Sequence, residues 1–585
     1  MAVSLNTKPI LSESMPVSDI RQQTIIGMKM KFKSLFCSLL FCFGVSSCSL
    51  DEQIYSSAIA ETFVKSEQDV LALVNGGYSL LPTFDCFKSN LTYSIMFGSD
   101  DVASTSATHR AFNERTVSAS NGYFITPWRS FYRVINHANA VIETVQKSEV
   151  GSEALRARII GEMQFMRALS YFYLVRMHGG VPIHTESVTG TSDFYPKRNT
   201  LDEVYALLLE DFKHASTTLL PYSQQPAAES GHATKGAAQA MLALAHLTYA
   251  NHHDLSKRAD QAVANYQLAK SYADSVINSN QYSLLSNYAS LFDVGQEKNA
   301  YQEVIFAIQF TRDATAASAS SRGSELAYYT QPSSRYNVCG NVTNGAGAGT
   351  ARVQPWFYDL YNTGEYAGDY RTAVSFVTRF KNQNLNTDRI TYPEKRTATE
   401  TTEQFPYLNK YIDPSGYQAR NNENDFFVIR LSEIFLIKAE AENELNGPTT
   451  EAYAAFNKLR ERARKADGTV RTVPADLKTG LSKAQFRLKI FDERGLEFVG
   501  EGHRWFDSVR MRYLDTEKTM VQYRYEDFYP TLNKTAPVFN ATTNTWGGGR
   551  VQPANIVPWT PKFLIWPIPS SEIDANPSMT QNPGW

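Results

Sequence analysis

Apolar residues at helical spacing, arriving in adjacent pairs of segments, constrain the fold of this chain more than any single motif. Thr234 to Ala250 is rich in alanine, with Met241, Leu244 and Leu247 spaced so that another helix can approach closely. The next segment sets Ala269, Ala273, Val276 and Ile277 at i, i+4, i+7 and i+8. Two helices joined by a short polar link form a hairpin whose outer apolar faces need neighbours to cover them.

The same pattern returns later. Ile434, Ile437, Ala441 and Leu445 line one helix, Asn446-Gly447-Pro448 stops it, and Ala452, Phe456, Leu459 and Ala463 line the next. Upstream, Leu155, Ile159, Met163, Met166, Leu169 and Leu174 share one broad face, and His178-Gly179-Gly180 with Pro182 ends that helix. The pattern predicts a mostly helical scaffold of tetratricopeptide-like pairs. Between the helical blocks, Thr311 to Arg352 reads as loop. Its run GNVTNGAGAGTAR neither follows a predicted strand nor has dinucleotide-binding spacing, so it is not a phosphate cradle. Thr516 to Trp559 is again irregular, and the proline-rich tail FLIWPIPSSEIDANPSMTQNPGW argues against a helix.

The N-terminus carries an address. Lys29, Lys31 and Lys33 flank an apolar run from Leu35 to Val45, of the length of a signal h-region and too short for the roughly 20 apolar residues of a membrane span. Val45, Ser46 and Ser47 then lead into Cys48, which resembles a bacterial lipobox; the thiol of Cys48 is the expected lipid attachment point. Several acyl chains, at about 0.8 kcal/mol per buried methylene, suffice to hold a soluble domain on a bilayer. Residues 1–47 are thus read as leader and lipoprotein signal, with translation expected to begin at Met28 or Met30, and residues 48–585 as the functional domain.

Composition narrows the chemistry. The formal net charge is −2, so there is no basic field to gather nucleic acid by counterion release. Beyond the signal and anchor only Cys86 and Cys339 remain, which rules out a disulfide framework. His252 and His253 are adjacent and therefore diverge on a helix, and no HExxH or CxxC occurs. No cofactor is implied; acidic and carbonyl oxygens leave room for a calcium ion that no recognised loop supports. Glu493, Glu497 and Glu501 fall at i, i+4 and i+8 on one helix, whereas a glycosidase sets its carboxylates across a cleft. With Arg494, Arg504 and Arg510 close by, ion pairing that locks the helix to its neighbours is the expected role, and no catalytic residue is assigned.

Four stretches carry a family likeness in matching order: GEMQFMRALSYFYLVRMHGGVPI, IRLSEIFLIKAEAENEL, FDERGLEFVGEGHRWFDSVR and LIWPIPSSEIDANPSMTQNPGW. With the lipobox they resemble the SusD/RagB family of Bacteroidetes outer-membrane lipoproteins. The resemblance implies an all-α, SusD-like fold with tetratricopeptide-like helix pairs and long irregular ligand-binding loops, split at residues 48–230 and 231–585. It implies a surface-exposed, lipid-anchored protein that captures oligosaccharide without cleaving it. It also implies a SusC-like TonB-dependent transporter as partner, with Asp51 and Glu52 resembling the signal for export to the outer leaflet. Peptide cargo, as in RagB-like relatives, is the alternative; a surface glycan hydrolase is a more distant one, and a purely structural lid a third.

Family ligand contacts come from the loop after the first helix and from mid-chain loops, here Gly98 to Phe124 and Tyr328 to Asn341. A sugar site mixes aromatic faces with polar hydrogen-bonding groups, and the chain, with 12% aromatic residues, offers both. Asp100, Asp101, His109, Arg110 and Phe112 in the first region, and Tyr328, Tyr329, Arg335, Tyr336 and Asn337 in the second, are the candidate ligand-binding residues. Trp128 and Trp356 lie in patterns better suited to packing.

Overall fold

The computed structural model describes residues 64–585 apart from 105, 191, 313–321, 334, 337, 339–346, 383–386, 398, 415–419, 466–467 and 552–557. The signal segment, Cys48, Asp51 and Glu52 lie outside the described residues, as do Asn337 and Cys339. Among the described residues no helix is long and apolar enough to cross a membrane.

The body is a succession of packed helices. Helices α1 (Glu67–Tyr78), α2 (Asn90–Phe97) and the short α3 (Ala107–Asn113) lead into α4 (Gly122–Lys147), α5 (Glu153–His178), α6 (Leu201–Thr218), α7 (Lys235–Leu255) and α8 (Ala259–Asn278). After a long middle segment come α9 (Leu431–Asn446), α10 (Thr450–Arg464), α11 (Lys483–Glu497) and α12 (Arg504–Arg510). From α4 onward each of these helices packs on the next as far as α10, and α9 also takes α11. The hairpin α7/α8 and the hairpin α9/α10, read separately in the sequence, therefore join into one stack through α8 against α9.

Local chemistry sets the helix limits. Ser152 caps α5 by accepting from the Leu155 amide, and Gly179, at φ 75°, ends it. Thr200 and Glu203 form a capping box on α6, and Ser482 and Gln485 another on α11. Gly447, at φ 79°, ends α9 where the Asn446-Gly447-Pro448 signal predicts. The alanines of α7 are fully buried, which is how α8 comes close. Gly161 does the same for α5 against α6: a Cβ there would stand 2.0 Å from Thr218 Oγ1.

Short strands stitch the middle of the chain to the helices. Val304–Ile308 pairs antiparallel with Phe426–Arg430, which runs straight into α9. A four-stranded sheet in the order Val102–Ser104, Ala351–Val353, Tyr407–Leu408, Phe376–Val377 ties the segment after α2 to the mid-chain region, with Val102 opposite Val353. The Gly98 to Phe124 stretch, read as loop, in fact holds this edge strand, α3 and the start of α4. The stretch read as irregular after Thr516 likewise holds a hairpin, Pro537–Asn540 with Thr545–Gly548, and the tail a short helix, Ser570–Ala575.

The DERGLEFVGEGHRWFDSVR stretch builds an ionic core. Glu493 is paired with Arg371 and Arg460, Glu497 with Arg371, Arg430 and Arg462, and Glu501 with Lys410 and Arg430, all of these groups being buried. Burial works against the charge of Glu497, but the three guanidiniums hold its carboxyl well below the usual range. Arg494 bridges Glu433 and Asp507, and Arg510 bridges Asp507 and Glu440. The C-terminal tail closes over the end of α5: the Trp566 amide donates to Met177 O (2.7 Å), and Asn582 Nδ2 donates to His178 O (2.9 Å) and Trp566 O (2.6 Å).

Candidate functional site

The two regions singled out in the sequence meet at an aromatic cluster between α2, α3 and the short helix Leu326–Thr330. Tyr93 of α2 lies 4.6 Å, ring to ring, from His109 on α3 and 4.4 Å from Tyr329. His109 lies across both rings, stacked on Phe97 at 4.6 Å as it is on Tyr93, the two rings being 5.7 Å apart on the same side of it, and its Nε2 lies 3.0 Å from the Tyr123 hydroxyl. Burial lowers the His109 pKa to about 4, so the imidazole is neutral at ordinary pH and acts as a flat hydrogen-bonding spacer.

Charged groups that sequence reading did not single out lie beside this cluster. Glu325 is fully buried, with the Ser89 side chain as its hydrogen-bonding neighbour. Burial raises its pKa, opposed by Arg420 and Lys88. Arg420 Nη1 stands 3.8 Å from Glu325 Oε1, and the same guanidinium lies 4.4 Å over the Tyr328 ring while its Nη2 donates to the Tyr328 hydroxyl at 3.2 Å. Buried Lys88, its pKa brought down to about 8 by burial, also acts on Glu325. Arg420 keeps 39% of its side chain exposed, and Tyr328 and Tyr123 are half-buried. The outcome is an exposed cation lying on an aromatic face, oriented by a buried carboxylate. Such a surface offers an apolar platform and in-plane N–H donors together.

The predicted contact residues divide accordingly. Asp100 is taken by Arg504 through both oxygens (2.6 and 3.1 Å), with Arg524 at 3.4 Å; burial opposes its charge but these cations hold its pKa down. Asp101 accepts from the Ser99 hydroxyl, and burial followed by repulsion from Asp100 pushes its pKa up to about 6. Phe112 packs on Phe124 and Trp566, and Tyr329 is fully buried. Asp100, Asp101, Phe112 and Tyr329 therefore serve the interior, because an ion pair and a packed ring at these positions leave no face for a ligand.

Of the others, Arg110 is partly exposed and paired with Glu114 at 3.1 Å. Arg335 is drawn inward to Gln331 Oε1 (2.5 Å) and Asn409 Oδ1 (2.7 Å), and Tyr336 is exposed beside Lys381, to whose carbonyl its amide donates. Tyr328 joins the platform directly, and Asn337 lies outside the described residues. Trp128 is buried against Tyr132 and His178, and Trp356 against Phe528 and Tyr529 with Arg524 over its ring. Arg420 carries no periodicity or motif that marks it. Glu325, in SELAYYT, had one available signal, a lone carboxylate in an apolar helical turn. Among the described residues no group of three or more His, Cys, Asp or Glu side chains is placed to hold a metal ion.

The sequence matches the model of the SusD family over residues 302–585, and residues 50–247 match a second family model described as starch-binding associating with outer membrane. The chain belongs to the SusD family. SusD-family proteins are binding proteins without catalytic activity. The chain is similar to the SusD-like protein P25 of Formosa agariphila, 26% identical, with 94% of this chain and 98% of that protein covered. In fold it is similar to a SusD homolog from Bacteroides thetaiotaomicron, with a TM-score of 0.74 at 20% identity, covering 90% of this chain and 98% of that one. It is also similar to a laminarin binding SusD-like protein, with a TM-score of 0.64 at 21% identity, covering 89% of this chain and all of that one.

Proposed function

We propose that this SusD-family chain captures oligosaccharides at the platform of Tyr328 and Arg420 and passes them, unaltered, to a SusC-like TonB-dependent transporter. The observation that carries the reading is the Arg420 guanidinium over the Tyr328 ring, half open to solvent and held by Glu325. A sugar ring presents an apolar C–H face to an aromatic plane and hydroxyl acceptors to a guanidinium edge, so this pair suits it. Tyr123, beside His109, and Arg110, next to His109 on α3, offer the same chemistry close by. The family description of starch binding and the laminarin-binding relative support carbohydrate over peptide. On this reading the protein is anchored through lipid on Cys48 and faces outward from the outer membrane.

The test is calorimetric titration of the full chain with oligosaccharides of several linkages, alongside apolar and charged peptides. Tyr328→Ala and Arg420→Ala are each expected to weaken the best glycan about tenfold or more, since stacking and charge-assisted hydrogen bonds each contribute on the order of 1–3 kcal/mol. Full affinity in both variants, or binding of peptides alone, removes the proposal.

A further inference from the structure

A second cavity lies far from the aromatic platform in the sequence, where the end of α5, the start of α6, the end of α7, α12 and the C-terminal tail come together. Its volume is about 520 Å³, within the range of small-molecule sites. Leu201, Val509, Pro561, Leu564, Ile565 and Pro583 make most of its wall apolar.

Two cations sit in that wall, Arg176 and Arg510, and they differ in their partners. The Arg176 guanidinium is sandwiched between Phe172 (3.9 Å) and Phe506 (3.8 Å), with Tyr173 at 4.7 Å. Rings on both faces leave only the planar edge for hydrogen bonds. Nε donates to Phe172 O at 3.2 Å and Tyr173 also hydrogen-bonds the side chain, but no carboxylate lies within 4 Å among the described residues. Glu433 acts on it only from farther away and is held by Arg494 at 2.8 Å. The other charged groups of the wall are engaged: Arg510 with Glu440 and Asp507, and Glu517 with Lys257. Buried Arg371, Arg430, Arg460, Arg462, Arg494, Arg504 and Arg510 each face at least one carboxylate. Arg176 is half-buried rather than sealed, and it is one of the residues that line the cavity.

We infer that this cavity is a second ligand site, for a small carboxylate with an apolar body, whose anion is received by the Arg176 edge and whose hydrocarbon lies along the wall of α6, α12 and the tail. Aromatic faces fix the plane of the guanidinium, and a planar carboxylate matches the edge left over. Apolar walls provide the remainder of the affinity and exclude strongly hydrated anions. The site is independent of the glycan platform and does not rest on it.

The experiment titrates the full chain with octanoate and with 1-octanol, which has the same chain length and no charge. Octanoate is expected to bind at one site, and octanol at least tenfold more weakly. Arg176→Gln is expected to reduce octanoate affinity at least tenfold while leaving octanol unchanged, and Val509→Trp, which fills the cavity from α12, to weaken both. Absence of octanoate binding, equal affinity for octanoate and octanol, or undiminished octanoate binding by Val509→Trp would overturn the inference. If Arg176→Gln fails to fold, the octanoate-to-octanol ratio of the unmodified protein and the Val509→Trp variant still decide it.

Discussion

Replacing Glu497 by Gln removes one negative charge from the centre of the ionic core without changing its shape. Glu497 Oε1 accepts from Arg430 Nη1 (2.7 Å) and from Arg462, and Oε2 accepts from Arg371 Nη1 (2.9 Å). Its backbone carbonyl separately accepts from Tyr288, Lys410 and Arg430, and those bonds survive the change. Removing one partner of a buried ion pair costs about 3–5 kcal/mol. Each guanidinium keeps another carboxylate: Arg371 has Asp369 and Glu493, Arg430 has Glu303 and Glu501, and Arg462 has Glu303. That argues for the lower end. The Gln amide nitrogen, however, must face a guanidinium donor, so at least one charge-assisted hydrogen bond, worth about 1.5–3 kcal/mol, is lost outright. The expected loss is about 3 kcal/mol, read by urea unfolding followed by circular dichroism, with the denaturant slope unchanged. Glycan affinity of the folded variant is expected to stay the same. A loss under about 1 kcal/mol, or intact stability with abolished ligand handling, would refute the structural role assigned to this carboxylate.

Three further outcomes follow from the packing. Gly161→Ala places a methyl group 2.0 Å from Thr218 Oγ1, so it is expected to destabilise by about 1–3 kcal/mol, and Thr218→Ala in the same chain to restore part of that loss in the same unfolding assay. Asn582→Ala deprives His178 O and Trp566 O of a donor and Arg198 of an acceptor, and is expected to cost about 1–3 kcal/mol and to speed proteolysis of the tail. His178 is buried beneath that tail and its pKa is lowered to about 3 by burial. With the folded value below the unfolded one, the unfolded state takes up the proton first, so the contribution of neutral His178 is complete above about pH 6.5 and is lost as pH falls toward 3. The stability difference between the protein and His178→Gln is expected to shrink by on the order of 3 kcal/mol from pH 7 to pH 4; a difference independent of pH would contradict the burial argument.

Helices were legible wherever apolar spacing and end signals agreed. Asn446-Gly447 stops α9, and Gly179 stops α5, because positive φ at those glycines is a local requirement written in one residue. The joining of α8 to α9 was not legible, since it depends on which apolar faces meet after a long intervening segment. The site was read in outline only. Tyr328, Asp100 and Tyr329 look equally suitable in sequence, and only the arrival of Arg504 and Tyr93 from elsewhere turns the last two inward. Arg420 has no sequence signature because its role is defined by Glu325 and Tyr328, which are distant in the chain. The tail, rich in proline, was expected to lack helix, yet Pro569 stands just before Ser570–Ala575, where a missing N–H costs nothing.

Incubation of the purified chain with a mixture of oligosaccharides, followed by separation of bound from free sugars and chromatographic sizing of both, tests the central claim most directly. The account predicts that a subset is retained in one-to-one ratio at its original length, and that the retained sugars are released intact on dilution. Shortened products, or no retention of any glycan by a folded protein, would contradict it.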